Sequence, residues 1–120
     1  MLILADIFIG LVAVLHFGFM VIETFLWQTN FAKRRFGMTS DVAAITANLA
    51  KNQGIYNLFL TAGLIFAQFF RSHDDYKAIT LFFLGCVIVA GIAGAASVTK
   101  RIFFIQSVPA ILAAAFLILA

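Results

Sequence analysis

Four apolar runs, each about as long as a helix needs to cross a bilayer, dominate this chain and leave little room for any other architecture. They extend from about Leu2 to Trp27, Asn52 to Phe70, Ala78 to Val98 and Phe103 to Ala120. A hydrocarbon core of about 30 Å takes roughly 20 apolar residues in a helix, and all four segments meet that demand. The pattern predicts an all-α integral membrane protein, a four-helix bundle in which residues 1–120 form a single transmembrane domain. The expected helices cover about 2–27, 40–70, 78–98 and 103–120. Connections after the first loop are short, so neighbouring helices are expected to run antiparallel. The first run carries Asp6, lacks a basic start and ends in LWQTN, so it reads as a permanent helix rather than a cleaved signal.

Composition argues against the soluble alternative. Of the 120 residues, 64% are hydrophobic and 11% charged, whereas an ordinary soluble domain is about half apolar and roughly a quarter charged. A soluble domain this small could not hide so much apolar surface from water. The formal charge of +3 comes from short Lys/Arg clusters between apolar runs. That distribution suits lipid headgroups and topology, so the bilayer is the expected partner and nucleic acid is not. The single cysteine, Cys86, excludes an internal disulfide and lies in an apolar run, where a thiol is inert.

Loop charges orient the expected bundle. Lys33, Arg34, Arg35 and Lys51 flank the first connection and Lys100 with Arg101 mark the third, against Arg71 and Lys77 around the second. This asymmetry puts the first and third loops in the cytoplasm and both termini outside. Residues 39–51 continue the second helix backwards, with Thr39 or Ser40 as its cap and Asp41 at the positive end of its dipole. Upstream, FAKRRFG alternates aromatic and basic residues and is expected at the headgroup surface. In the third helix, Ala90 with Gly94 and Gly91 with Ala95 form small pairs four apart that permit close helix packing.

The polar residues inside the apolar runs carry the functional signal. From Ile55 to Phe70 a helix spans only about 24 Å, so crossing the membrane draws Gln53 and Asn57, with Asn52, into it. Unpaired amides in lipid are costly. Gln53 and Asn57 share one face, as do Asn52 and Tyr56, and Gly54 leaves room for a backbone or a ligand. On the first helix His16 and Glu23 are seven apart, nearly on one face and about 10 Å apart along the axis. Trp27 lies one turn beyond Glu23, and Gln106 enters the fourth helix after Arg101. Glu23, Gln53, Asn57 and Gln106 are thus expected in the cytoplasmic leaflet, with His16 nearer the midplane. Helix packing alone also accounts for such amides, but ionisable groups inside a membrane are usually functional. His16 and Glu23 are too far apart to share one ion, no second histidine has ligand spacing, and neither a metal nor a cofactor is expected.

At these residues the sequence resembles a family of small bacterial membrane proteins, domain-of-unknown-function family 1304. The resemblance rests on LHFGFMVIETFLW, on FG at 36 and 37, on ANLAKNQGIYNLFLTAGL, and on FFIQSVPAILA. It implies a chain of about this length with four helices, and with it a bacterial cytoplasmic (inner) membrane; it implies no reaction. The arrangement is also distantly similar to the trimeric membrane-associated eicosanoid and glutathione metabolism proteins. The Asn-x-x-Glu element of their second helix is incomplete here, because Ile55 follows Asn52. The inventory of His, Glu, Asn and Trp resembles that of emopamil-binding-like sterol isomerases, without a shared linear motif. These are analogies of fold and inventory.

The leading expectation is a protein that binds a small lipophilic molecule, with or without acid–base turnover. Glu23 would be the proton donor or acceptor and His16 its titratable partner. Gln53, Asn57, Asn52 and Gln106 would orient a polar head between walls made by Trp27 and Tyr56. Carboxyls in apolar surroundings keep their protons to higher pH, which suits proton transfer near neutrality. Two other readings stay open: a proton- or ion-coupled transporter acting as a homo-oligomer, and a structural or assembly protein without a ligand.

Overall fold

The computed structural model describes all of residues 1–120. It is all-α and contains no strand. The helices are α1 (Leu2–Phe25), α2 (Asn30–Phe36), α3 (Ser40–Gln68), α4 (Tyr76–Ser97) and α5 (Val108–Leu119), the last preceded by a π-helical stretch, Phe103–Ser107. By length and composition α1 and α4 are the two helices able to cross a membrane. The longest, α3, has 29 residues, but its amides and Lys51 dilute its apolar character, and the Phe103–Leu119 run is shorter.

Contacts divide the chain into two compact units, residues 1–15 with 60–120 and residues 16–59. In the first unit α1 offers Ala5, Ile9 and Val12 at the i, i+4, i+7 spacing of a single helical stripe. These join Leu84 and Val87 of α4 and Leu117 of α5 in one buried cluster. Phe8 stacks on Phe116 with centroids 5.7 Å apart, and the Thr61 hydroxyl donates to the Ala13 carbonyl at 3.1 Å. The outward faces are also apolar: Ile3 is 75%, Val14 69% and Phe82 66% exposed. Water-soluble surfaces carry such residues singly, not as continuous faces.

Two of the small residues of α4 have specific neighbours. A Cβ on Gly91 would overlap the Ser107 side chain and one on Gly94 would overlap Ile102, while Gly85 faces open space. The Ser107 hydroxyl donates to the Ile88 carbonyl at 2.9 Å, clasping the π-helical stretch to α4. The local cause of the wider turn is Pro109. Proline has no N–H, and its ring would press on the carbonyl four residues back, that of Ile105. The Val108 N–H bonds to the Phe103 carbonyl, five residues back, which is the π register. Gly91→Leu is therefore expected to cost about 1–3 kcal/mol by overpacking, read as a lower melting temperature in mild detergent. An unchanged melt would show that α4 does not depend on this contact.

In the second unit a short helix joins two longer ones. Thr29 caps α2 by accepting from the Ala32 N–H at 3.3 Å, and α2 ends at Gly37, whose φ of 63° is the left-handed conformation that favours glycine. The next helix starts at once: Thr39 Oγ1 accepts from the Val42 N–H at 3.2 Å, so of the two expected caps Thr39 is the one used. The FAKRRFG segment is thus a helix, fastened by Lys33 Nζ donating to Ser40 Oγ at 3.0 Å.

Candidate functional site

Within residues 16–59 α3 meets α1 through Gly54 and Asn57, and the buried Ala50 lies on the same stripe, the three spaced i, i+4, i+7. The two small residues allow the helices to come close. A Cβ on Gly54 would overlap Thr24 Oγ1 and would lie 3.3 Å from the Met20 carbonyl oxygen. That approach carries the Asn57 amide to Glu23, where Nδ2 donates to both carboxylate oxygens, at 3.1 and 3.3 Å. Both side chains are half-buried. Just past the end of α1, Trp27 Nε1 donates to Thr46 Oγ1 at 2.9 Å. The Thr46 hydroxyl in turn donates to the Val42 carbonyl at 2.7 Å, and the indole packs against Phe36 with centroids 5.2 Å apart.

Between these helices runs a groove of about 280 Å³ lined by Glu23, Thr24, Trp27, Gln28, Ala47 and Lys51. Its polar groups differ in kind. Glu23 is an acceptor when ionised and a donor when protonated, and Lys51 brings a positive charge. The Thr24 hydroxyl oxygen is buried and has no hydrogen-bond partner within the protein. A polar ligand atom entering the groove would therefore meet a titratable carboxyl and an ammonium group.

The other expected site residues lie as follows. His16 is 1% exposed, two turns before Glu23 on α1, with its ring edge-on to Phe19 at 5.6 Å. Asn52 and Gln53 are exposed, and Tyr56 is 55% exposed, its ring edge-on to Phe59 at 6.2 Å. Gln106 is half-buried on the π-helical stretch and belongs to the first unit. The structure thus joins Glu23 with Asn57 and puts Trp27 on the same groove. It adds Thr24, Gln28, Thr46 and Lys51, which sequence reasoning had not assigned to a site. Threonine gives no clear signal in an apolar run, because its hydroxyl commonly bonds back to its own helix.

A second polar cluster lies in the first unit. Arg71 grips Asp6 in a bidentate pair, Nη1 to Oδ1 at 2.8 Å and Nη2 to Oδ2 at 2.6 Å. Its Nη1 also reaches Gln68 Oε1 and the Tyr76 hydroxyl, each at 3.2 Å. The Asp6 bond, above all, pushes the Arg71 pKa further up. The acceptors and donors of this cluster meet one another, which makes it a clasp between the start of α1 and the end of α3.

Replacing Trp27 by Phe keeps the aromatic packing and removes the indole donor. The expected cost is about 1 kcal/mol, the net value of an ordinary hydrogen bond, measured by thermal denaturation. A variant as stable as the parent would show that packing alone holds Trp27.

A family model described as Protein of unknown function (DUF1304) matches residues 10–118, a range that contains the whole groove. The chain is also 36% identical over 115 residues to "Uncharacterized protein YpaA" of Lactococcus lactis subsp. lactis (strain IL1403). That alignment covers 94% of this chain and 95% of the relative. No solved structure matches.

Proposed function

The chain belongs to the family described as Protein of unknown function (DUF1304), and we propose that it is a multi-pass membrane protein that binds a small lipophilic molecule at Glu23. The observation that carries this reading is the groove in which the Glu23 carboxylate, held by Asn57, shares a wall with Lys51 and the Trp27 ring. Phe25, 72% exposed, adds an apolar side to the groove. Such a setting favours a ligand with a greasy body and one polar head. Glu23 would give a proton to that head or take one from it, and Asn57 would hold the carboxyl in place through either state. His16, two turns away on the same helix, is the proposed second titratable group. The membrane reading draws on α1 and α4, each long and apolar enough to cross. With α3 and the run from Phe103 it gives a four-helix bundle in the bacterial cytoplasmic membrane, with both termini outside.

The test is direct. Parent and Glu23→Gln proteins, purified in mild detergent, are extracted with organic solvent and their extracts compared by mass spectrometry. The parent is expected to carry a lipophilic compound depleted at least about tenfold in the variant, the equivalent of 1.4 kcal/mol of lost binding. Extracts indistinguishable from each other, or from that of an unrelated membrane protein, would overturn the proposal.

A further inference from the structure

The connection between α1 and α3 holds the whole charge excess of the chain. Eight Lys and Arg residues stand against five Asp and Glu, a net charge of +3. Lys33, Arg34 and Arg35 alone account for that difference, and the rest of the chain balances. None of the three is paired with a carboxylate; the ion pair in the structure is that of Arg71 with Asp6. Their helix is also oriented. Ala32 is fully buried and Phe36 packs on Trp27, which fixes one side of α2 against the unit. Phe31, Arg34 and Arg35, at i, i+3 and i+4, are neighbours on the helix surface and are exposed. Phe31 is 59% exposed there. Where α2 turns into α3, a groove of about 390 Å³ is lined by Lys33, Arg34, Gly37 and Ser40 among others.

We infer that this surface binds an anionic phospholipid. The headgroup phosphate sits in the groove against Lys33 and Arg34, Arg35 adds charge at the rim, and Phe31 enters the acyl region beside it. Charge complementarity selects the occupant: a cluster of cations without protein counter-ions, next to an outward-facing aromatic ring, matches a phosphate joined to hydrocarbon. A nucleic acid would use the charges and leave Phe31 in water. A zwitterionic lipid supplies the hydrocarbon without net charge. Each basic side chain near an anionic surface strengthens binding about fivefold. The site is separate from the groove at Glu23 and does not depend on what that groove holds.

The experiment uses the full chain in mild detergent, titrated with phosphatidylglycerol or phosphatidylcholine and read by native mass spectrometry and by thermal shift. The parent is expected to prefer phosphatidylglycerol by at least about tenfold, and the preference should shrink as salt rises. In Arg34→Gln/Arg35→Gln the preference should fall below about threefold. Phe31→Ser should weaken both lipids while keeping the salt dependence. All three positions are exposed, and circular dichroism checks that the helices are intact. Glu23→Gln should retain the full preference, which separates this site from the ligand groove. No preference in the parent, or an equal one in the arginine variant, would overturn the inference. So would inorganic phosphate reproducing the stabilisation given by phosphatidylglycerol.

Discussion

Gly54→Leu is expected to destabilise residues 16–59 by about 3 kcal/mol, the upper end of ordinary overpacking costs. The sign is informative because two effects oppose each other. A glycine inside a helix is worse than alanine by about 1 kcal/mol on propensity alone, so a substitution with free space around it should stabilise. Gly54 has no such space: a Cβ would overlap Thr24 Oγ1 and crowd the Met20 carbonyl. Threonine is too short to move its hydroxyl far, and a backbone carbonyl cannot yield without shifting α1. Gly10, around which nothing lies within 4 Å, is the control, and Gly10→Ala should melt at or above the parent temperature. Circular dichroism melts of the three proteins decide the matter. If Gly54→Leu melts with the parent, the close approach of α1 and α3 is not what holds this unit together.

Substitutions at Glu23 separate chemistry from scaffolding. Glu23→Gln keeps an acceptor oxygen for Asn57 and removes the titratable proton, so stability should stay within about 1 kcal/mol of the parent. Glu23→Leu strands the half-buried Asn57 amide and should cost about 1–3 kcal/mol. Adding Asn57→Leu to that variant should recover most of the loss, since replacing both partners by apolar groups is nearly neutral. Ligand retention should vanish in all three. Retention of ligand by Glu23→Gln with loss in Glu23→Leu would instead make Glu23 a hydrogen-bonding strut.

Much of the architecture is legible in the sequence because it follows from hydropathy. Helices without strands, an early start of α3 with Thr39 or Ser40 at its cap, and Glu23 facing an amide of α3 can all be read from spacing. The choice among the amides cannot. Gln53 and Asn57 are equivalent by the i, i+4 rule, yet Asn57 meets Glu23 and Gln53 is exposed. What separates them is Ala50 and Gly54: the smallest residues set the line of closest approach, and Asn57 lies on that line one turn after Gly54. The wall added by Thr24 and Lys51 is a property of helix pairing rather than of either helix. The π-helical stretch has a sequence signal in Pro109, but the fit of Ser107 against Gly91 belongs to the pairing of two segments and has none.

The measurement that bears most directly on the central claim uses Trp27, the one tryptophan of the chain, which lines the groove beside Glu23. Protein stripped of bound lipophiles is titrated with the organic extract of the parent protein while indole fluorescence is followed from about pH 5 to 8, the interval in which histidine titrates. The account predicts a saturable change in Trp27 emission whose midpoint moves with pH in the parent. Glu23→Gln should show no saturable change, and His16→Gln a weakened pH response. Superimposable titrations of parent and Glu23→Gln across that interval would contradict it.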